Sequence, residues 1–600
     1  MSLSANYPGV SKNPRSETRI LLLLIWSVAV LTLCVTFGTS SLSTDDAMRL
    51  VEVRDFLAGQ NWFDLTQYRL NPPNGVVTHW SRLIDLPLAV LIQAAKMLLP
   101  TALAERIAII VWPTALLLIF FAGVMRLARE LAGETAARVA LVFAVLMAPV
   151  LQHFRSGAIQ HHNIQIVLMI WSLVFFARMS SRPRDGAIAG ILCALSVAIG
   201  QEMVPVIAML AAVVCLRWVV EGDRCGRTTI AYAVSLATGA VVLAAATIAP
   251  ASYLTVHCDA ISIAQVGVLG LGGFGLAALA TLPRLNSIVR RLVAAGGLAV
   301  LLAISVKFGA PQCLGDPYAQ LDPRLADLWL SSVAEARDLT SMMRDLPQQV
   351  PAYFGIPLAA LVLGTIRCLR EKGQQRWNWI ACTASQAAFV LVSIWELRGA
   401  SGANALGAAL VPAALLQMLP APEGRASYFG IPRAALVAML FLNPIALLAL
   451  GSGAAHAVAA AAVTTQRIVT SGDAGTCQRA SDYTPLAILP RGRVLAFIDS
   501  GPFILMESEH AVLAAPYHRN QVGNIAVLDM FLGAPNDAKV RMATHDIDYV
   551  AFCPGAPERY NYVASAPNSL VAALSRNDVP SFLERVPLNG SNLAVYRVRR

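Results

Sequence analysis

The sequence predicts a polytopic α-helical membrane protein of about thirteen transmembrane helices, followed by a C-terminal soluble α/β domain. Three observations predict it. Of 600 residues, 56% are apolar and 14% charged, and the mean hydropathy is +0.59, outside the range of soluble globular domains. Apolar runs recur from Ile20 to about residue 451, many of them near the ~20 residues that a helix needs to cross a bilayer core about 30 Å thick. The basic residues between these runs are spaced so that they all fall on one side of the membrane.

Taken in order, the first run, Ile20 to Phe37, follows Lys12, Arg15 and Arg19 and resembles a signal peptide. It lacks a clean small-residue cleavage pattern, so it reads as a retained helix. A long external stretch follows, 41–102. Within it 86–99 is apolar but short and contains Pro87, and reads as a helix lying at the interface. The next span ends at Arg126, Arg129 and Arg138. Runs at 139–152, 164–177, 186–200 and 203–217 then alternate direction, punctuated by Arg178, Arg182 and Arg184, and by Arg217, Arg224 and Arg227. Later clusters are Arg284, Arg290 and Arg291, then Arg367, Arg370, Lys372 and Arg376, then Arg425 and Arg433. With about thirteen spans every cluster shares the side of Arg19, and the opposite loops hold little beyond Arg155 and Arg398. The positive-inside rule then places the N-terminus in the cytoplasm of a bacterial inner membrane and the C-terminus in the periplasm.

The domain division is therefore 1–455 for the membrane region and 465–600 for the periplasmic domain, joined by an Ala/Gly/Thr-rich connector. Strand-like runs at 494–498, 511–514 and 549–552 alternate with helical stretches in that domain. The net charge of +10 is dispersed over the cytoplasmic loops, which excludes a nucleic-acid partner. Cys34, Cys193, Cys215, Cys225, Cys368 and Cys382 fall in spans or cytoplasmic loops and are expected as thiols. Cys258, Cys313, Cys477 and Cys553 fall outside, where pairing of Cys258 with Cys313 and of Cys477 with Cys553 is expected. Repeats, a P-loop and a dinucleotide fingerprint are absent, so cytosolic nucleotide-sugar use finds no support.

Chemistry concentrates at the external membrane edge. Asp45 and Asp46 are adjacent carboxylates at the boundary of the first span, where like charges repel. Either can take a proton from an acceptor or help hold a cation beside a phosphate. The plainer alternative is that Thr44 or Asp45 caps a helix starting near Ala47. Further along lie His79, Trp80 and Asp85, then Arg155, Gln160, His161, His162 and Asn163, then Glu202. His161, His162 and Asn163 read equally as a cap on the next span. Glu396 and Arg398 sit at the external end of a span, where an ionisable pair is costly unless used. Arg398 or Arg155 can grip a lipid phosphate or, more plainly, snorkel to headgroups. In the C-terminal domain Asp499 follows a strand, and Tyr517, His518 and Arg519 form a dense polar run.

The membrane-edge Asp45-Asp46, the aromatic-Asp turn Trp62-Phe63-Asp64 and the segment His79-Trp80…Leu83-Ile84-Asp85 resemble the C-type (GT-C) membrane glycosyltransferases. The likeness is greatest to oligosaccharyltransferase catalytic subunits, with protein O-mannosyltransferases and aminoarabinose transferases more distant. It covers the first 180 or so residues in motif and the whole chain in layout. It implies transfer of a sugar from a polyprenyl-phosphate donor among the membrane lipids to a lipid, glycan or protein acceptor. It further implies that Asp45 or Asp46 is the catalytic base or metal-binding carboxylate, and that a late Arg and an acid serve the donor.

Two departures narrow this. Gln160 stands where the family has an acid, and a neutral amide is a poor ligand for a hard cation. Adjacent side chains on a helix point ~100° apart, so His161 and His162 are not expected to chelate together. No cofactor is therefore assigned, Mg2+ or Mn2+ being the one candidate cation. The Trp-Trp-Asp-Tyr-Gly motif is missing, which argues against protein N-glycosylation. The alternatives are a flippase of lipid-linked sugars, which needs charges within spans and broken helices, and a non-catalytic membrane scaffold.

Overall fold

The computed structural model describes residues 14–38, 42–316, 318, 321–419, 427–428, 431–459, 477, 479–588 and 590–599. Lys12, Arg425 and the connector beyond residue 459 lie outside them. The membrane region opens with α1 (Pro14–Phe37), followed by two external helices, α2 (Thr44–Leu57) and α3 (Arg82–Lys96). Then come α4 (Thr101–Ala144), α5 (His162–Arg178), α6 (Pro183–Ile199), α7 (Val204–Glu221), α8 (Asp223–Thr247), α9 (Ile263–Thr281) and α10 (Ile288–Gly309). After an external segment the chain returns through α11 (Val350–Arg370), α12 (Gly373–Trp395), α13 (Gly399–Met418) and the bent pair α14 (Arg433–Phe441) and α15 (Pro444–Ala459).

Nine of the helices in the described residues are long and apolar enough to cross a membrane, ten if the bent pair is one span. The 17-residue helices α5 and α6, and the arm of α4 beyond Gly133, are further helical segments of the membrane region but fall short of that length. Gly133 divides α4 because its φ of 84° is left-handed, a conformation that costs other residues a clash of Cβ. The segment 86–99, expected at the interface, is helical and too short to be counted among the spans. It falls largely within α3, which buries Ile84, Leu88, Ala89 and Ile92 and leaves Leu86, Val90 and, past its end, Met97 and Leu98 exposed. Both expected disulfides are present, Cys258–Cys313 and Cys477–Cys553, and the other six cysteines are free.

The C-terminal domain carries β1 (Arg493–Ala496), β2 (Ala511–Val512), β3 (Tyr549–Phe552), β4 (Leu583–Val586) and β5 (Ala594–Val598), in spatial order β2-β1-β3-β5-β4. The first three strands are parallel and the last two join antiparallel. Helix α16 (Gly501–Glu507) packs this domain against α2.

Two apolar cores organise the molecule. One lies among the membrane helices. The second is shared by α2, α3 and the C-terminal domain, so the first external stretch and that domain are one packed body. The stretch also joins the sheet at its edge: Val512 N–H donates to the Arg69 carbonyl at 2.9 Å and Asn71 N–H to the Val512 carbonyl at 2.7 Å. Arg69 and Arg54 donate to the carbonyls of Leu505 and Met506, which end α16. The α2 N-terminus is thereby held between membrane and domain.

A buried Glu558 and a partly buried Asp499 form a carboxyl pair at the domain core, with Asp499 N–H donating to Glu558 Oε1. Burial pushes Asp499 up to about 6, and burial followed by the charge of Asp499 raises Glu558. Both groups hold protons more tightly folded than unfolded. The contribution of Asp499 to stability is whole below about pH 4 and is lost as pH rises through about 6. The thermal midpoint of the C-terminal domain is expected to fall over that window, and Glu558→Gln to flatten the fall.

Candidate active site

Helix α2 separates its two acidic residues into different environments. Ser43 is the N-cap and Asp46 the N3 residue of a capping box, which corrects the expectation that Thr44 or Asp45 caps the helix. Asp46 is fully buried and saturated. Its Oδ2 accepts from Ser43 N–H (2.9 Å), Ser43 Oγ (2.7 Å) and Arg155 (3.0 Å), and its Oδ1 from the N–H groups of Ile159 (2.8 Å) and Gln160 (3.2 Å). Both carboxylate oxygens are thus engaged by donors of the protein. Asp46 instead fastens α2 to the loop before α5.

Asp45, one position earlier and ~100° around the helix, is only partly buried and makes no hydrogen bond or ion pair among the described residues. It faces charged groups from several segments. Its carboxyl is pushed up to about 7, by burial first and then by the charge of Glu335, against the pull of His162 and Arg398. Tyr517, whose hydroxyl lies 3.5 Å from the Thr44 carbonyl, closes the side toward the C-terminal domain.

Near Asp45, the start of α5 presents His161 and His162. His161 Nε2 lies 2.6 Å from Glu202 Oε1, and His162 Nε2 lies 3.4 Å from Glu335 Oε2. Burial opposes the charge on Glu202, but His161 and His162 outweigh it and hold the carboxyl well below its usual range. Gly200 makes room here, since a Cβ would stand 2.5 Å from Glu202 Oε2 and 3.3 Å from the His161 ring. The divergence expected of these adjacent side chains is not seen, since the His161 and His162 rings lie 4.5 Å apart between centroids. One ligand atom from each of His161, His162 and Glu202 lies within 4.8 Å of the others. Asn163 takes the plainer role: its amide donates to the Ala158 carbonyl and its oxygen accepts from Ile164 N–H.

Glu335 comes from the external segment between α10 and α11, held by backbone bonds from Leu397 N–H to the Arg337 carbonyl and from Arg398 N–H to the Glu335 carbonyl. Burial works against its charge, but His162 and then Arg398 lower its carboxyl far below the usual range. The Arg398 Nε lies 4.0 Å from Glu335 and 3.9 Å from Glu396, and is buried without a hydrogen-bond partner. Its side chain is 31% exposed. Tyr318 sits against it. Glu396 is raised by burial, with Arg398 pulling the other way.

Several predicted positions serve other ends. Arg155, expected on a donor phosphate, is spent on Asp46 and on the Gln152 carbonyl. Asp85 lies in the core under α2, between Arg49 (2.7 Å) and Arg82 (3.0 Å), and does not line the site. Trp80 is buried there too, with the Arg49 guanidinium 4.5 Å above its ring and Tyr517 edge-on at 5.3 Å. The Gln160 side chain is buried, and its N–H serves Asp46. His518 and Arg519 turn to Asp259, and His79 to His518. Glu335, Asp259 and Tyr318 were not singled out by the sequence.

AglB, the archaeal oligosaccharyltransferase of Archaeoglobus fulgidus solved with an inhibitory peptide and a dolichol-phosphate, superposes with a TM-score of 0.67. It is 14% identical, over 97% of this chain and 74% of that one. The chain has the GT-C fold. The same oligosaccharyltransferase tethered to an acceptor peptide with the NVT sequon gives 0.66 at 15% identity, over 92% and 72%. ArnT from Cupriavidus metallidurans, bound to undecaprenyl phosphate, is looser at 0.36 and 12%, over 96% and 97%. No family model and no curated protein matches the sequence.

Among the described residues at this site, His161, His162 and Glu202 are the group whose ligand atoms lie close enough together to hold a divalent cation.

Proposed function

We propose that this chain is a glycosyltransferase of the bacterial inner membrane that moves a sugar from a polyprenyl-phosphate-linked donor to a periplasmic lipid, glycan or protein. The observation that carries the reading is Asp45: a partly buried, unpartnered carboxyl at the membrane edge, poised near neutrality and facing an arginine with an unpaired donor. The GT-C fold supports it.

In this mechanism Arg398 holds the donor phosphate with charge-assisted hydrogen bonds. Asp45 accepts the proton of the acceptor hydroxyl or amine as that atom attacks the anomeric carbon. The bond from that carbon to the phosphate oxygen breaks, polyprenyl phosphate leaves, and the anomeric configuration inverts. His161, His162 and Glu202, whose ligand atoms lie within 4.8 Å of one another, would hold a divalent cation such as Mn2+, which would supply positive charge to the departing phosphate. Orientation follows the arginine pattern, with the C-terminal domain in the periplasm. A flippase would use charges within the spans, whereas Asp45, Glu202, Glu335 and Arg398 all lie at helix ends or in loops.

Purified protein mixed with labelled polyprenyl-phosphate sugars and native membranes should move label out of the lipid donor into an acceptor. Label that stays on every donor tried contradicts the reading. Arg398→Ala is expected to raise KM for the donor about 30-fold, the loss of roughly 2 kcal/mol of charged hydrogen bonding.

A further inference from the structure

We propose that His79, Asp259 and His518 form a zinc site that fastens the C-terminal domain to two external loops, separate from the cluster around Asp45. One ligand atom from each residue lies within 4.8 Å of the other two. The residues come from three distant segments: the loop before α3, the loop between α8 and α9, and the start of the helix following β2 in the C-terminal domain.

Each ligand is aimed by its surroundings. Asp259 adjoins Cys258, whose disulfide to Cys313 ties down its loop. Behind it the Arg519 guanidinium grips both carboxylate oxygens, Nε to Oδ2 and the terminal nitrogen to Oδ1, each at 2.7 Å. Such an outer partner is what orients a metal-ligating carboxylate. His518 Nε2 already meets Oδ2 at 2.8 Å. The His79 ring lies 5.1 Å from the His518 ring, and among the described residues neither of its nitrogens makes a hydrogen bond. Arg519 also donates to the Thr78 carbonyl at 3.2 Å, fixing the chain next to His79.

The donor chemistry selects the metal. Two neutral imidazoles and one carboxylate suit Zn2+ better than Mg2+ or Ca2+, which take oxygen ligands. Around a tetrahedral Zn2+ with bonds of about 2.0–2.1 Å, neighbouring ligand atoms stand about 3.3 Å apart. His518 therefore has to back away from Asp259 by only about half an ångström, while His79 closes in. Three protein ligands leave a fourth position for water. Because Tyr517, next to His518, reaches the Thr44 carbonyl beside Asp45, the zinc would also steady the wall of the candidate active site.

The test uses the full chain in detergent, stripped with chelator, reloaded with Zn2+ and assayed for metal content. A His161→Ala/His162→Ala background keeps zinc at the neighbouring cluster from being counted. That background is expected to hold about one zinc per chain, and addition of His79→Gln or His518→Gln to remove it. Glutamine at 518 retains a hydrogen-bond donor for Asp259 while removing the ring nitrogen. Should the background not fold, wild type and His79→Gln are compared directly, with loss of one equivalent expected and loss of the visible band of four-coordinate Co2+ after cobalt loading. Zinc content unchanged by either glutamine, or a folded background that binds none, overturns the proposal.

Discussion

Asp45→Asn is expected to lower sugar transfer by about 10²–10⁴-fold, the usual contribution of a positioned general base, while the protein still inserts and folds. Asparagine keeps the volume of the side chain and can neither accept a proton nor carry charge. No protein partner is stranded, because Asp45 has none among the described residues. The change should even be mildly stabilising above neutral pH. A carboxyl raised to about 7 by burial and by Glu335 costs stability once it ionises, and the amide does not ionise. Transfer assays and thermal unfolding at pH 8 on the same preparation separate the two effects.

Asp46→Ala is expected to act in the opposite way, as a stability variant. It strands the Arg155 guanidinium and the N–H groups of Ser43, Ile159 and Gln160, all of which now converge on one buried carboxylate. Removing one member of a buried charge pair costs about 3–5 kcal/mol, a large part of the roughly 5–15 kcal/mol that a folded protein has in hand. Its thermal midpoint should fall well below that of Asp45→Asn. Any activity loss should follow the folded fraction.

That contrast marks the limit of what the residues alone disclose. The membrane helices were legible because apolar length is a sufficient signal, and nine or ten helices among the described residues meet it. Sidedness likewise sorted the cysteines correctly into two disulfides and six thiols. The adjacent aspartates were legible as a pair. Which one is free was not, because it depends on Arg155 and the backbone of residues 159–160 folding back over α2.

Glu335 was hidden for a related reason. Asp316, Asp322, Asp327, Asp338 and Asp345 share its segment, and nothing in the sequence ranks it above them. It is set apart only by the contacts that pin its loop to residues 397–398, some 60 positions away. Asp259 is similar, gaining meaning from Arg519 and His518 across the domain junction. Arg155 and Arg398 looked equivalent as exposed external arginines, and packing alone assigned the first to Asp46.

The most direct measurement is an experimental structure of the full chain with a polyprenyl phosphate bound. Phosphate density on the Arg398 guanidinium, with the Asp45 carboxylate facing the same space, is the predicted result. Phosphate seated elsewhere, with Asp45 turned away from it, would contradict the assignment of both residues.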